Sequence, residues 1–176
     1  SVLGETNTSV LVQEFVDGTE YVVDAVSLDG LHRPAAFWRY ARPAPRAGGP
    51  PGFVCYDAMV LIPYEGPVQR ELFSYACAVL DALGIRHGPS HCEIIVDGNG
   101  PVLVEIGARL SGGNNGVLSA SCGGPSALDL TLDAALEPHR FRAEAHTAPH
   151  LSRTVANFFL RPSCPGVLRA LPRLAE

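Results

Sequence analysis

The stretch HCEIIVDGNGPVLVEIGARLSGG, residues 91–113, decides the fold that the sequence predicts. Two apolar segments, 90–96 and 102–106, are joined by the turn-forming residues DGNG, which is typical of an antiparallel hairpin. With the turn in this position, Glu93 and Glu105 are expected to lie almost opposite each other on neighbouring strands. Two like charges directly across a strand pair are destabilising, so this pair is expected to need a cation.

The carboxylates of Glu93 and Glu105 are hard oxygen ligands, and no histidine and cysteine cluster of suitable spacing accompanies them. This favours Mg²⁺ (or Mn²⁺) over zinc. Arg109 leaves the second strand just beyond the pair, where its guanidinium could bind a phosphate oxygen while the metal bridges others. Metal and arginine together suggest a nucleoside triphosphate. On spacing alone, the alternative is a hairpin with two solvent-facing glutamates.

The composition narrows the classes of partner. The 176 residues suffice for one domain, and a net charge of -5 with a pI of about 5.6 argues against a nucleic-acid partner. No apolar run approaches the roughly 18 residues that a membrane span needs, so no membrane partner is expected. The first residues lack the features of a secretory signal, which makes a cytoplasmic location the default. The sequence also contains no lysine.

Periodicity and turn residues predict an α+β fold, in which an antiparallel sheet has flanking helices. Residues 10–28 read as two strands around Asp17 and Gly18. A second Asp-Gly pair, Asp29 and Gly30, follows, and a third strand is expected over 34–40. Residues 41–52 are rich in proline and glycine and are predicted to form a flexible loop.

Helical spacing of apolar residues predicts an amphipathic helix over 67–84. A second helix with Ser126 as its N-cap, followed by a late strand, is expected within 125–162. The region 138–149 between them reads as polar and irregular. The whole of 1–176 is interpreted as a single domain.

The segment GIRHGPSHCEIIVDGNGPVLVEIGARLSGG, residues 84–113, resembles the metal-binding end of the ATP-grasp superfamily. It is most similar to the carboxylate-amine ligases that join amino acids into dipeptides. In this family an acid on each of two strands holds Mg-ATP, and the second acid opens an E-x-N-x-R motif. The resemblance implies that Glu93 and Glu105 bind the metal and that Arg109 is catalytic. Gly107 stands where many members have a metal-ligating asparagine, so one ligand is expected to be missing or replaced.

A second segment, VQEFVDGTEY over 12–21, resembles the adenine hinge of the same superfamily. The resemblance implies a set of ATP-binding residues, in which a strand edge pairs with adenine and an acid binds the ribose hydroxyls: Gln13, Glu14, Phe15, Val16 and Glu20. It also places His91, Asn114 and Asn115 near the substrate. For these three, a buried core histidine and turn-forming asparagines are alternatives that stay open.

The resemblance implies an ATP-grasp C-terminal subdomain and a ligase reaction. ATP phosphorylates a carboxylate to give an acyl phosphate, and an amine then attacks to form an amide or peptide bond. Complete members hold the phosphates with two lysines from a preceding N-terminal part. Because this chain has no lysine, it is expected to be a C-terminal fragment whose N-terminal half is missing, and to be inactive alone.

The expected partners are small molecules, an amino acid and ATP, and a homodimer is compatible with this reading. Three alternatives remain open. The first is a nucleotide-binding module without turnover, the second a structural fragment, and the third an ATP-grasp ligase with another acceptor.

Overall fold

The computed structural model describes residues 8–41, 56–145, 147, 149–159 and 167. Its elements, in chain order, are β1 (Thr19–Leu28), β2 (Leu31–Ala41), β3 (Ala58–Ile62), α1 (Pro67–Ala82), β4 (Gly88–Asp97), β5 (Gly100–Gly107), α2 (Asn115–Ser121), α3 (Ala127–Leu136), α4 (Pro138–Ala143) and β6 (Ala156–Phe158). The strands form one six-stranded sheet in the order β5-β4-β1-β2-β3-β6, and each neighbouring pair is antiparallel. The expected α+β architecture with flanking helices is confirmed.

The hairpin between β1 and β2 turns at Asp29 and Gly30. Both residues have positive φ, 56° and 83°, and Leu28 pairs with Leu31 across them. Positive φ at both central positions belongs to the turn whose twist matches that of the flanking strands, and an Asp-Gly pair adopts it at low cost. The sequence signal for this turn is therefore correct.

The predicted hairpin around Asp17 and Gly18 is wrong. Residues 8–17 form no strand, and β1 begins only at Thr19. The reason lies in the sheet, because β1 already pairs with β2 along one edge and with β4 along the other. A strand has two edges, so no third partner could bind β1 at this point.

Gly18 is needed because the chain passes close to β4 there. A Cβ at this position would lie 2.3 Å from the carbonyl oxygen of Val96 and 2.8 Å from Cγ2 of Ile95. We expect Gly18→Ala to lower the free energy of unfolding by about 1–3 kcal/mol, because the backbone must shift to relieve the overlap. The measurement is urea denaturation. Gly98→Ala is the control, since a Cβ there meets nothing within 4 Å; equal stability of the two variants would contradict the prediction.

The helix α1 covers one face of the sheet. It is the helix predicted over 67–84, and Gly84 follows it with φ 68°. The buried residues of this layer come from α1 and from alternate positions of three strands: Val23, Phe37, Leu72, Ala76, Cys92 and Ile94. Burial raises the pKa of the Cys92 thiol to about 12, as expected for a thiol that serves as a small apolar side chain.

The opposite face of the sheet is covered by α2, α3 and α4. Val22, Trp38 and Cys122 belong to one buried cluster there, and Val26 and Phe141 to another. Since Val22 and Val23 are neighbours on β1, they point to opposite faces and each anchors a different layer.

The predicted N-cap of α3 is correct. Ser126 accepts a hydrogen bond from the backbone of Asp129, whose side chain in turn accepts from the backbone of Ser126. The helix α4 lies in the segment 138–149 that was expected to be irregular, α2 was not predicted, and the late strand is reduced to the three residues of β6. Of the predicted loop 41–52, all but Ala41 lies outside the described residues. Within the described part of the chain, no helix combines the length and apolar character that a membrane crossing requires.

Candidate functional site

The acidic pair is formed as the hairpin predicted, with Glu93 directly opposite Glu105 between β4 and β5. The register shifts immediately afterwards, since Ile94 pairs with Leu103, which leaves Val104 as an extra residue in β5. Without this bulge Glu93 would be opposite Val104, and Glu105 would point to the other face. The bulge therefore brings the two carboxylates to one side of the sheet.

Arg109 lies beside the acidic pair, and its contact with Glu105 is weak. Its Nη2 is 3.9 Å from Oε1 of Glu105, and Nη1 donates to the carbonyl of Leu110 at 3.1 Å. The side chains of Arg109 and Glu105 are 56% and 63% exposed, and such exposed pairs contribute little to stability. The guanidinium can therefore exchange this partner for a ligand at small cost.

Gly107 has no side chain, and the side chain of Arg109 lies in the space that this leaves. A Cβ built at Gly107 would be 3.2 Å from both Cζ and Nε of Arg109. The space beside residue 107, where the family motif has an asparagine side chain, is thus taken by the arginine. The position of Arg109 therefore depends on the glycine at 107, because a longer side chain at 107 would displace Arg109.

His91 lies two residues before Glu93 on the same face and contacts two acids. Its Nδ1 is 2.6 Å from Oδ1 of Asp24, and its Nε2 is 3.4 Å from Oε1 of Glu93. Burial alone lowers the pKa of His91, but the hydrogen bond to Asp24 and the negative charges of Asp24 and Glu93 outweigh it and raise the pKa to about 9. In the absence of a metal the ring is therefore an imidazolium at neutral pH. Asp24 was not predicted, although its place on the same strand face as Glu20 is a signal for it.

A cavity of about 220 Å³ adjoins the acidic pair. Its lining joins the predicted adenine hinge, the predicted ribose acid, one predicted metal ligand and several apolar side chains: Gln13, Glu14, Phe15, Val16, Glu20, Tyr56, Glu93, Ile95, Leu103 and Val104. All five residues expected to bind ATP thus meet in one place. Their positions in the sequence alone could not establish that Ile95 and Leu103 would close the same cavity.

Glu20 lines this cavity and is buried, and its side chain accepts a hydrogen bond from a tyrosine. The hydroxyl of Tyr56 is 2.7 Å from each of its carboxylate oxygens, and the ring of Tyr56 stacks on Tyr40 with centroids 3.9 Å apart. Burial and the bond to Glu20 raise the pKa of Tyr56, while burial and the charge of Glu93 raise that of Tyr40 to about 12. Neither tyrosine was predicted. A phenol hydroxyl here supplies the kind of donor that a ribose hydroxyl supplies.

Asn114 and Asn115 are not among the residues that line this cavity. Asn114 precedes α2, and Asn115 is its first residue and is only 8% exposed. The structure therefore associates them with the start of a helix, and their substrate role stays a prediction.

The carboxylates at this site suit a metal ion that binds together with a nucleotide. Among the described residues, no group of three or more histidine, cysteine, aspartate or glutamate side chains is arranged to hold a metal ion. Mg²⁺ commonly binds through one or two carboxylates and completes its shell with phosphate oxygens and water. Glu93 and Glu105 fit that mode of binding, and they do not fit a closed structural metal site.

Comparisons with known proteins agree on one kind of fold. No protein-family model matches the chain. Dapdiamide A synthase from Enterobacter agglomerans is 30% identical over 171 residues, which are 96% of this chain and 39% of that protein. The chain therefore spans well under half the length of this relative.

Two solved structures have a similar fold. The L-amino acid ligase from Bacillus licheniformis has a TM-score of 0.69 at 22% identity, covering 89% of this chain and 39% of the ligase. The phosphoribosylaminoimidazole carboxylase ATPase subunit from Aquifex aeolicus has a TM-score of 0.54 at 15% identity, covering 82% of this chain and 41% of the subunit.

Proposed function

We propose that this chain belongs to the ATP-grasp superfamily and is part of a Mg-ATP-dependent carboxylate-amine ligase that joins amino acids through an acyl phosphate. The observation that carries the proposal is the single cavity that combines the adenine hinge, Glu20 and Glu93. The similarity to dapdiamide A synthase and to an L-amino acid ligase supports an amide-forming reaction.

The nucleotide base binds to the segment 13–16. This segment lies in no strand, so its backbone groups are available to the donor and acceptors of the adenine edge. Ile95, which is opposite Glu20, provides apolar surface for the ring, and Glu20 accepts from the ribose hydroxyls in place of Tyr56.

Glu93 and Glu105 hold the metal together with the nucleotide phosphates. The ion, Mg²⁺ or Mn²⁺, supplies positive charge that neutralises the phosphate oxygens. Arg109 stabilises the charge of the transferring phosphoryl group and then that of the acyl phosphate. Phosphoryl transfer depends mainly on positioning and charge stabilisation, so no nucleophilic side chain is required.

The test uses the full-length protein with ATP, Mg²⁺ and a panel of amino acids. ADP and phosphate are expected only when both a carboxylate and an amine are supplied. A carboxylate labelled with ¹⁸O should transfer one label to phosphate, because its oxygen attacks the γ-phosphorus and remains on phosphate when the amine displaces it. Phosphate release that is unlabelled, or that needs no amine, would contradict the proposal.

Two other functions are distinguished by the same assay. A nucleotide-binding module, which the loss of the asparagine at Gly107 favours, would bind ADP and form no product. A ligase with another acceptor, as the carboxylase ATPase subunit suggests, would respond to other substrates in the panel. The proposal further includes a cytoplasmic location, where ATP and free amino acids are present, and a homodimer, which sedimentation would reveal.

Glu20 gives a direct prediction for nucleotide binding. We expect Glu20→Gln to weaken ADP binding about tenfold, because a charged acceptor for the ribose hydroxyls is lost. Calorimetric titration of the full-length protein measures this. Asp17→Asn is the matched control, since Asp17 is an exposed acid of the same segment outside the cavity lining. A similar ADP affinity in both variants would assign the ribose to another residue.

A further inference from the structure

Asp24 and His91 form a buried polar unit next to Glu93, on the same face of the sheet. They are opposite each other between β1 and β4, and they are only 2% and 7% exposed. Oδ1 of Asp24 is 2.6 Å from Nδ1 of His91, and Oδ2 accepts from Nε1 of Trp38 at 3.0 Å. Both carboxylate oxygens therefore have partners, and Asp24 is fixed from two sides.

The ring of His91, which Asp24 holds in place, lies next to the carboxylate of Glu93. Its two ring nitrogens lie near different acids. Nδ1 is bound to Asp24, and Nε2 is 3.4 Å from Oε1 of Glu93. Because the ring is rigid, an Asp24 that holds one nitrogen also sets the position of the other. The side chain of Glu93 is 24% exposed, so it borders both this buried unit and the cavity.

The other neighbour of His91 offers no competing side chain. His91 is opposite Gly107 on β5, which has no side chain to bind the ring. The side chains that contact the ring nitrogens are therefore those of Asp24 and Glu93. A histidine with no role at the site would not need the acid that faces Glu105 as the neighbour of its second ring nitrogen.

We propose that Asp24 and His91 are positioning residues that hold the carboxylate of Glu93 opposite Glu105 before the metal arrives. The inference rests on the proposed metal-binding role of Glu93. Neither residue lines the cavity, and in this proposal both act through Glu93; the predicted substrate contact of His91 stays a prediction. Groups that orient metal ligands from behind typically change metal affinity by about 10- to 100-fold when they are removed.

The test measures Mn²⁺ binding to the full-length protein in the presence of ADP, by the loss of the free Mn²⁺ signal in electron paramagnetic resonance. We expect Asp24→Asn and His91→Gln each to raise the Kd for Mn²⁺ about tenfold or more. Binding of ADP without metal, measured by calorimetry, should change less than about twofold, because neither residue lines the cavity. Ser90→Ala is the control, since Ser90 is buried on β4 and bonds to the backbone of Ala25.

A double-mutant cycle separates positioning from general damage to the fold. In a Glu93→Gln background, His91→Gln should change Mn²⁺ affinity less than about twofold, because the group through which it acts is already gone. Equal effects of His91→Gln in both backgrounds would overturn the inference, as would an unchanged Kd in a folded Asp24→Asn variant. If Asp24→Asn does not fold, His91→Gln decides. If Glu93→Gln itself leaves Mn²⁺ affinity unchanged, the proposed metal role fails, and the inference fails with it.

Discussion

Replacing either Glu93 or Glu105 with glutamine is expected to lower kcat of the full-length protein by about a thousandfold or more, the largest effect in this chain. The two side chains are opposite each other and have the same shape after the change, so the expected loss reflects charge. A neutral amide is a weaker ligand for Mg²⁺ than a carboxylate, so the ion that offsets the phosphate charge would be held by one carboxylate instead of two. Each variant should also bind Mn²⁺ more weakly in the presence of ADP.

Steady-state release of ADP and the Mn²⁺ titration together check this prediction. Glu71→Gln is the matched control, because Glu71 is an exposed glutamate on α1, which covers the other face of the sheet. Folding should be retained or improved in Glu105→Gln, since removing one of two facing negative charges relieves repulsion. Turnover within tenfold of the unchanged protein in both variants would show that the pair does not hold the metal.

Arg109→Ala is expected to lower kcat by about 100- to 1,000-fold, the second largest effect. Arg109 is not among the residues that line the nucleotide cavity, so KM for ATP should change much less than kcat. The free energy of unfolding should change by less than about 1 kcal/mol, because the contact with Glu105 joins two largely exposed groups. Arg109→Lys should recover only part of the rate, because an ammonium cannot bind two phosphate oxygens in the same planar way.

The control for this prediction is Arg70→Ala, which removes an exposed arginine from α1. Rapid-quench measurement of a single turnover separates the phosphoryl transfer step from product release. A loss that appears only in KM would instead assign Arg109 to substrate binding. A large loss of stability in Arg109→Ala would show that the guanidinium supports the fold through contacts stronger than the one with Glu105.

The sequence correctly predicted the features that depend on neighbouring residues. The DGNG turn marked the hairpin of β4 and β5, although the register of that turn alone pairs Glu93 with Val104, and the bulge that brings Glu105 opposite Glu93 was not predicted. The Asp29-Gly30 pair also marked a real hairpin. Ser126 caps α3 as expected, because its partner Asp129 is only three positions away. Such local patterns restrict the backbone directly, so they can be read without knowledge of the rest of the chain.

The tertiary structure alone decided which distant residues complete the site. Asp24 meets His91 from 67 positions away, and Tyr56 meets Glu20 from 36 positions away, so no local pattern connects either pair. The failed hairpin at Asp17 has the same origin, since its signal was sound but β2 and β4 had already taken both edges of β1. Backbone turns are set by short-range sterics, whereas the choice of strand neighbours is a competition among all strands for a limited number of edges. That competition placed a buried aspartate and histidine behind Glu93.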